Sequence, residues 1–263
     1  MPARVIGEEF MTDASLPARF AGSDFRVGQV INRTGSVLSR NFLPFVGVTT
    51  IAQLPTVLLT HLATAAGTAS NSGAAQTLLL TVLSLFLIVV LTVLSQAIVL
   101  FGSFQDMRGR PVNLVESLQV GLRRFFPIIG LAICMSILAM LATLFFIIPG
   151  LIVLTMWFVA TPACVVERLG PLRSMGRSAR LTKGNRWKIF GLFLLLLLIS
   201  GIVSPILGAS LAAIGGPMLA LLGAVLWGGV WGAFYAISGV VAYHDLRVVK
   251  EGVGIDDIVA VFD

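Results

Sequence analysis

The run IFGLFLLLLLISGIVSPILGASLAAIGGPMLALLGAVLWGGVWGAFYAISGVVAYH, residues 189–244, holds 56 positions without one Asp, Glu, Lys or Arg. A transmembrane helix needs about 20 predominantly apolar residues. The run is long enough for two crossings, and Gly215-Gly216-Pro217 near its middle supplies turn chemistry. Two further stretches, 41–105 and 125–166, are also free of these four residue types. The first is interrupted by the small, polar segment from Ala66 to Gly73, the second by Pro149-Gly150. The pattern predicts an all-α fold, an integral membrane bundle of six transmembrane helices in three hairpins. The crossings fall at 43–63, 76–103, 126–148, 150–167, 188–213 and 218–243. Composition agrees: 57% of the 263 residues are hydrophobic and 11% charged, and the mean hydropathy is +0.99. A soluble domain carries about 25% charged residues, and a fold of this size needs them to cover its surface.

The 18 Lys and Arg residues orient the bundle. Five lie before the first crossing (Arg4, Arg19, Arg26, Arg33, Arg40) and four after the second (Arg108, Arg110, Arg123, Arg124). Seven follow the fourth (Arg168, Arg173, Arg177, Arg180, Lys183, Arg186, Lys188), and Arg247 and Lys250 follow the sixth. The other turns carry none. By the positive-inside bias the basic segments and both termini are cytoplasmic. Cations placed beside membrane segments face anionic headgroups. With no nucleic-acid motif beside them, the high pI does not indicate nucleic-acid binding.

Residues 1–25 contain Glu8, Glu9, Asp13 and Asp24 and no continuous apolar core. They read as a mobile cytoplasmic arm rather than a signal peptide. Residues 26–247 form the membrane domain and 248–263 a cytoplasmic tail. Each hairpin is preceded by a short basic amphipathic segment, near 26–40, 113–124 and 171–183. In the first, Val27, Val30, Ile31, Val37 and Leu38 oppose Arg26, Arg33 and Arg40. In the second, Asn113 and Glu116 have capping-box spacing, and Leu114, Leu118 and Leu122 share a side. In the third, Pro171 suits the first helical position. Leu172, Met175 and Ala179 there oppose Arg173, Arg177 and Arg180, and Gly184 ends the helix. Such helices either lie in the headgroup plane or pack together as a cytoplasmic cap. The candidate headgroup contacts are Arg33, Arg40, Arg123, Arg124, Arg173, Arg177, Arg180, Lys183, Arg186 and Lys188.

The junctions repeat. Arg40-Asn41-Phe42-Leu43-Pro44-Phe45-Val46-Gly47 matches Arg123-Arg124-Phe125-Phe126-Pro127-Ile128-Ile129-Gly130 at four of eight positions, and Gly184-Asn185-Arg186-Trp187-Lys188-Ile189-Phe190-Gly191 is a weaker third copy. The implied unit is an interfacial helix followed by a hairpin, in three parallel copies.

The predicted crossings carry Asp, Glu, Lys or Arg only at their inner ends, Glu167 in the fourth and Lys188 in the fifth, whereas transport and catalysis inside a bilayer generally use ionisable groups. His61 and His244 stand at opposite membrane faces and cannot share a metal. The polar candidates within the crossings are Gln53, Gln96, Ser95, Ser200, Ser204 and Tyr235, either interhelical bonds or the lining of a substrate path. Pro44, Pro55, Pro127, Pro162 and Pro205 kink helices or free carbonyls, as a lipid groove requires and as ordinary helix irregularity also produces. Ser204, Gly208, Ala212 and Gly216 recur every four residues, as do Gly228, Gly232 and Ala236. These small residues predict close contact between helices five and six. Trp187 and Tyr243 are placed as inner-interface anchors. Cys134 and Cys164 lie within helices as reduced packing groups.

The stretch Val165-Val166-Glu167-Arg168-Leu169-Gly170-Pro171, with Arg177-Ser178-Ala179-Arg180-Leu181-Thr182-Lys183-Gly184-Asn185-Arg186-Trp187-Lys188-Ile189-Phe190-Gly191, resembles the YciC-like inner-membrane proteins. It is similar too to the membrane domain attached to some glycerophosphoryl diester phosphodiesterases. The tail, Tyr243-His244-Asp245-Leu246-Arg247 and Lys250-Glu251-Gly252, fits the same picture. The resemblance runs from about Phe25 to the end and implies six helices with conspicuous cytoplasmic loops. In that family the phosphodiesterase chemistry belongs to a separate barrel domain with a His-Arg-Gly stretch and acidic metal ligands. This sequence has no His-Arg-Gly, so no catalytic residue, cofactor or metal is carried over. The reading is a non-enzymatic membrane protein that organises, regulates or stabilises a membrane protein complex or local anionic lipid. Its partners are anionic lipids and a membrane protein or second copy. The alternative is a transporter or lipid translocator with a proline-shaped groove.

Overall fold

The computed structural model describes residues 25–68, 74–145 and 147–252. The expected N-terminal arm, apart from Phe25, most of the Ala66–Gly73 turn and the tail beyond Gly252 lie outside these residues. Among them the regular structure is entirely helical: α1 (Val27–Arg40), α2 (Phe42–Thr68), α3 (Ala74–Met107), α4 (Leu114–Arg123), α5 (Phe125–Phe145), α6 (Ile147–Met156), α7 (Ala160–Val166), α8 (Pro171–Thr182) and α9 (Arg186–Glu251). Four of these, α2, α3, α5 and α9, contain segments long and apolar enough to cross a membrane. Leu54, Leu78, Phe86, Leu141, Ile206 and Met218 all stand exposed. An apolar surface this extensive requires hydrocarbon or protein cover. The chain is a membrane protein.

At about 1.5 Å per residue, a straight α9 would extend far beyond a bilayer of about 30 Å. It does not stay straight. Gly215 (φ −133°) and Gly216 (φ 72°) leave helical geometry, and Pro217, which lacks an N–H, starts the next helical turn. The second arm, 217–251, returns along the first, 186–214, so that Trp227 Nε1 donates to Ser204 Oγ at 2.8 Å. Two boundaries differ from the sequence reading. Pro149-Gly150 is not the turn after α5, since α6 is already helical from Ile147 and a proline in a first helical turn costs no hydrogen bond. The expected helix over 150–167 is broken at Trp157–Val159. Pro162 cannot donate to the Phe158 carbonyl and its ring crowds that position. Ser178 of α8 donates to the freed Met156 carbonyl (2.7 Å).

The junction repeat recurs in the backbone. Phe45 N donates to Asn41 O (3.2 Å), Ile128 N to Arg124 O (3.0 Å) and Ile189 N to Asn185 O (3.0 Å), closing the same turn three times. These three residues, each two before its junction glycine, are at most 3% exposed, whereas Leu43, Phe126 and Trp187, four before it, are 81–85% exposed. Thirteen before the glycine stand Thr34, Ser117 and Ser178, all fully buried. Fourteen before it, Arg33, Glu116 and Arg177 each bond the end of a long helical pair: Arg33 to Asp245 (2.7 Å), Glu116 to Gln105 (2.7 Å), Arg177 to Glu167 (2.7 Å). So α4 packs on α3 before it and α8 on α7 before it, while α1 packs on α9, the last helix. The contacts form a closed cycle.

α1 buries Val30, Thr34, Val37 and Leu38 and exposes polar residues, as a cap does. α4 buries Ser117 and Gly121 while Val115, Leu118 and Leu122 face outward. Of the two placements open for such a helix, α4 packs through its small residues, with Gly121 close to Ala97 and Leu94. α8 likewise buries Ser174, Met175, Ser178, Leu181 and Thr182 and exposes Leu172. The stripe of Gly228 and Gly232 packs on α2, not on the preceding arm of α9. A methyl at Gly228 would overlap Gln53 and one at Gly229 would overlap Thr50, and the Thr49 hydroxyl lies 2.7 Å from the Gly229 carbonyl. Gly208 has open space around it among the described residues and Ala212 is exposed, while Ser204 at the start of that stripe meets Trp227 of the second arm.

Candidate lipid-headgroup site

At the first junction a carboxylate balances the arginine. Asp106, just after α3's polar Gln105, accepts from Arg40 Nη2 (2.5 Å) and Asn41 Nδ2 (2.7 Å). At the second junction Arg40 and Asn41 are replaced by Arg123 and Arg124. The residue one past Glu167, in the place of Asp106, is Arg168. Arg123, Arg124 and Arg168 line a cleft of about 280 Å³ with Val120 and Val165, and no lining residue is acidic. Arg168 holds φ 52°, the left-handed conformation that usually falls to glycine just past a helix end. Beside the cleft, Val115, Leu118, Leu122 and Phe126 form an outward apolar surface. Cations at the edge of a bare apolar face are the arrangement of a helix lying in the headgroup plane. Sequence reading found Arg123 and Arg124 but missed Arg168; the signal available was its place one past Glu167, opposite Asp106 in the repeat.

The other headgroup candidates divide. Arg173, Arg180, Lys183 and Arg186 are exposed, and Lys188 is half-buried. Arg33, Arg40 and Arg177 leave the set, since each guanidinium is already held by a carboxylate. Arg177 bonds both oxygens of Glu167 (2.7 and 2.8 Å) and pairs with Glu251. Burial pulls the Arg177 pKa down, and the hydrogen bonds that Arg177 donates to Glu251 and Glu167 outweigh it, so the group is raised overall. The Arg177 hydrogen bond lowers Glu251, burial opposes this, and Arg247 adds to the lowering. Tyr243, expected as an interface anchor, is buried and donates to Glu167 (2.8 Å); a protein carboxylate satisfies its hydroxyl in place of headgroup water. Trp187 stands outward. His244 is buried beside Asp245 (3.3 Å). No group of three His, Cys, Asp or Glu among the described residues is arranged to hold a metal. The side chain of His61 lies outside the described residues.

Asn113 accepts from the Val115 and Glu116 amides (3.1 and 3.2 Å). The reciprocal half of the expected capping box is relayed. Glu116 accepts from Gln105 Nε2, and Gln105 Oε1 accepts from Asn113 N (2.8 Å). Of the polar residues inside the long helices, Gln53 bonds the Thr49 carbonyl, Ser95 the Thr92 carbonyl, and Ser204 accepts from Trp227. Gln96, Tyr235 and Ser200 are brought to two adjoining cavities, each about 350 Å³. Pro162 lines the first of them; Pro44 and Pro127 fall in first helical turns, and Pro55 and Pro205 within α2 and α9. Cys134 and Cys164 are free thiols, Cys164 donating to the Leu169 carbonyl at 3.3 Å.

A domain of unknown function, DUF7847, matches residues 112–246. The chain belongs to the DUF7847 family. The matched region begins just before α4 and ends after Asp245, so it takes in the arginine cleft and leaves out α1. No curated protein and no solved structure matches the chain.

Proposed function

We propose that this DUF7847 protein is a non-enzymatic, six-crossing protein of the bacterial plasma membrane that binds anionic lipid at the cytoplasmic leaflet. In this reading α2 with α3, α5 with α6–α7, and the two arms of α9 are three membrane hairpins, with both termini cytoplasmic. The arginine cleft carries it: three guanidinium groups converge on one cleft with no acidic lining residue, at the rim of an outward apolar face. Phosphate recognition by convergent arginines follows from their planar, multiply donating heads. Holding such lipid would organise the bilayer around the protein, and the exposed Gly208–Ala212 stripe offers a surface for a membrane partner or second copy. The likeness to YciC-like proteins belongs to this proposal.

Native mass spectrometry from mild detergent tests it. The protein should retain phosphatidylglycerol in preference to phosphatidylcholine, and Arg123→Gln, Arg124→Gln and Arg168→Gly together should abolish the preference. Equal retention of both lipids, or a preference surviving the triple change, defeats the reading. A second reading, lipid movement between leaflets, is favoured by the cavities at the α6–α7 break. Liposomes containing the protein would then scramble a labelled lipid faster than empty ones.

A further inference from the structure

The cavity at the α6–α7 break is lined from four sides: Gln96 of α3, Ser136 of α5, Thr161 of α7 and Tyr235 of α9 all reach it. None of these four side chains has a hydrogen-bond partner among the described residues. Phe158 lines it too, and Pro162 deprives the Phe158 carbonyl of its usual donor. In hydrocarbon, where water is absent, unpaired polar groups cost several kcal/mol each. Their convergence on one space therefore calls for an occupant that is polar there and apolar elsewhere. The four side chains are uncharged, so the matching group is neutral. Phe193 and Tyr235 continue the lining into the second cavity, which is otherwise apolar apart from Ser200. Together these volumes fall within the range of ordinary small-molecule sites.

We infer that the groove formed by Gln96, Ser136, Thr161 and Tyr235 binds the glycerol-ester region of a membrane lipid, with an acyl chain running toward Ser200. Lipid is the solvent of this surface, and esters and a glycerol hydroxyl offer the acceptors and donor that the amide and three hydroxyls lack. The inference rests on the chain being embedded in a membrane. It is independent of the arginine cleft and of whether lipid crosses the bilayer.

Trp157 lines the groove and serves as the probe. Replacing Trp187, Trp227 and Trp231 with Phe leaves it the sole tryptophan. Brominated diacylglycerol titrated into dodecyl maltoside micelles should quench Trp157 saturably, and unbrominated diacylglycerol should relieve the quenching. Gln96→Leu and Tyr235→Phe should each weaken the binding by about three- to tenfold, as expected for one lost hydrogen bond. Helical circular dichroism and a single gel-filtration peak establish that each variant folds, and Thr161→Val provides a third independent removal. Quenching that never saturates, equal quenching by a bromoalkane, or no weakening in any folded variant overturns the inference. The triple arginine variant should keep the quenching while losing anionic-lipid preference. Loss of one readout without the other assigns the failure to the groove or to the cleft.

Discussion

A single methyl group separates the glycines that matter from those that do not. Gly229 meets Thr50 so closely that any side chain displaces α2, whereas Gly208 has no neighbour within 4 Å. Gly229→Val should lower stability by about 1–3 kcal/mol through overpacking, and Gly208→Val should leave it nearly unchanged, read as thermal unfolding in detergent. The roomier Gly232, 3.8 Å from Thr49, should fall between them. Arg168→Gly tests a different economy. Glycine adopts positive φ without the clash that a side chain meets, roughly 1 kcal/mol, so the melting temperature should hold or rise while anionic-lipid retention falls. The Arg177–Glu251 pair sets an acid limit. Glu251 is lowered in the folded protein, so its contribution is complete above the ordinary glutamate range. That contribution fades as pH drops through the depressed native value. Melting temperature plotted against pH should therefore fall less steeply on the acid side in Glu251→Gln than in the native protein.

The three amphipathic helices show why periodicity alone does not assign a helix its surroundings. Each has a basic side and an apolar side, and each precedes a long helical pair. Yet α1 turns its apolar side inward, while α4 packs through Ser117 and Gly121 and leaves Val115, Leu118 and Leu122 outside. Close approach to α3 favours small residues, which frees the larger ones for hydrocarbon. α1 is held mainly by apolar contact, because the Arg33–Asp245 pair is half-exposed at the arginine end and exposed ion pairs contribute little. Val37→Asp, which buries an unpaired charge, should release α1 and open its backbone to trypsin at Arg33. Asp245→Asn, which removes the same pair and keeps the cleavage site, should not. Equal cleavage in the two variants contradicts the contact cycle.

At the scale of the whole molecule, the proposed topology makes a labelling prediction. In a background lacking Cys134 and Cys164, cysteines placed at Arg173 or Lys250 should react with a membrane-impermeant maleimide only after the cells are opened. Cysteines placed at Ser72 or Gly216 should react in intact cells. Reaction at Arg173 from outside would remove the orientation, and with it the cytoplasmic headgroup site.

The uncharged run at 189–244 made the helical, membrane-embedded character legible, because hydrocarbon excludes charge whatever the tertiary arrangement. The junction copies were legible for a local reason: the same first-turn hydrogen bond closes at Phe45, Ile128 and Ile189. What the linear order did not disclose is who faces whom. α1 completes the cycle on α9, more than 200 residues away, which no local pattern encodes. Arg168 becomes a site residue only when that cycle sets it opposite Arg123 and Arg124. Gln96, Thr161 and Tyr235 become one groove only when α7 breaks beside α3 and α9. Solvent exclusion is written residue by residue, so the chain states it directly; convergence of distant side chains depends on packing, and packing exists only in three dimensions.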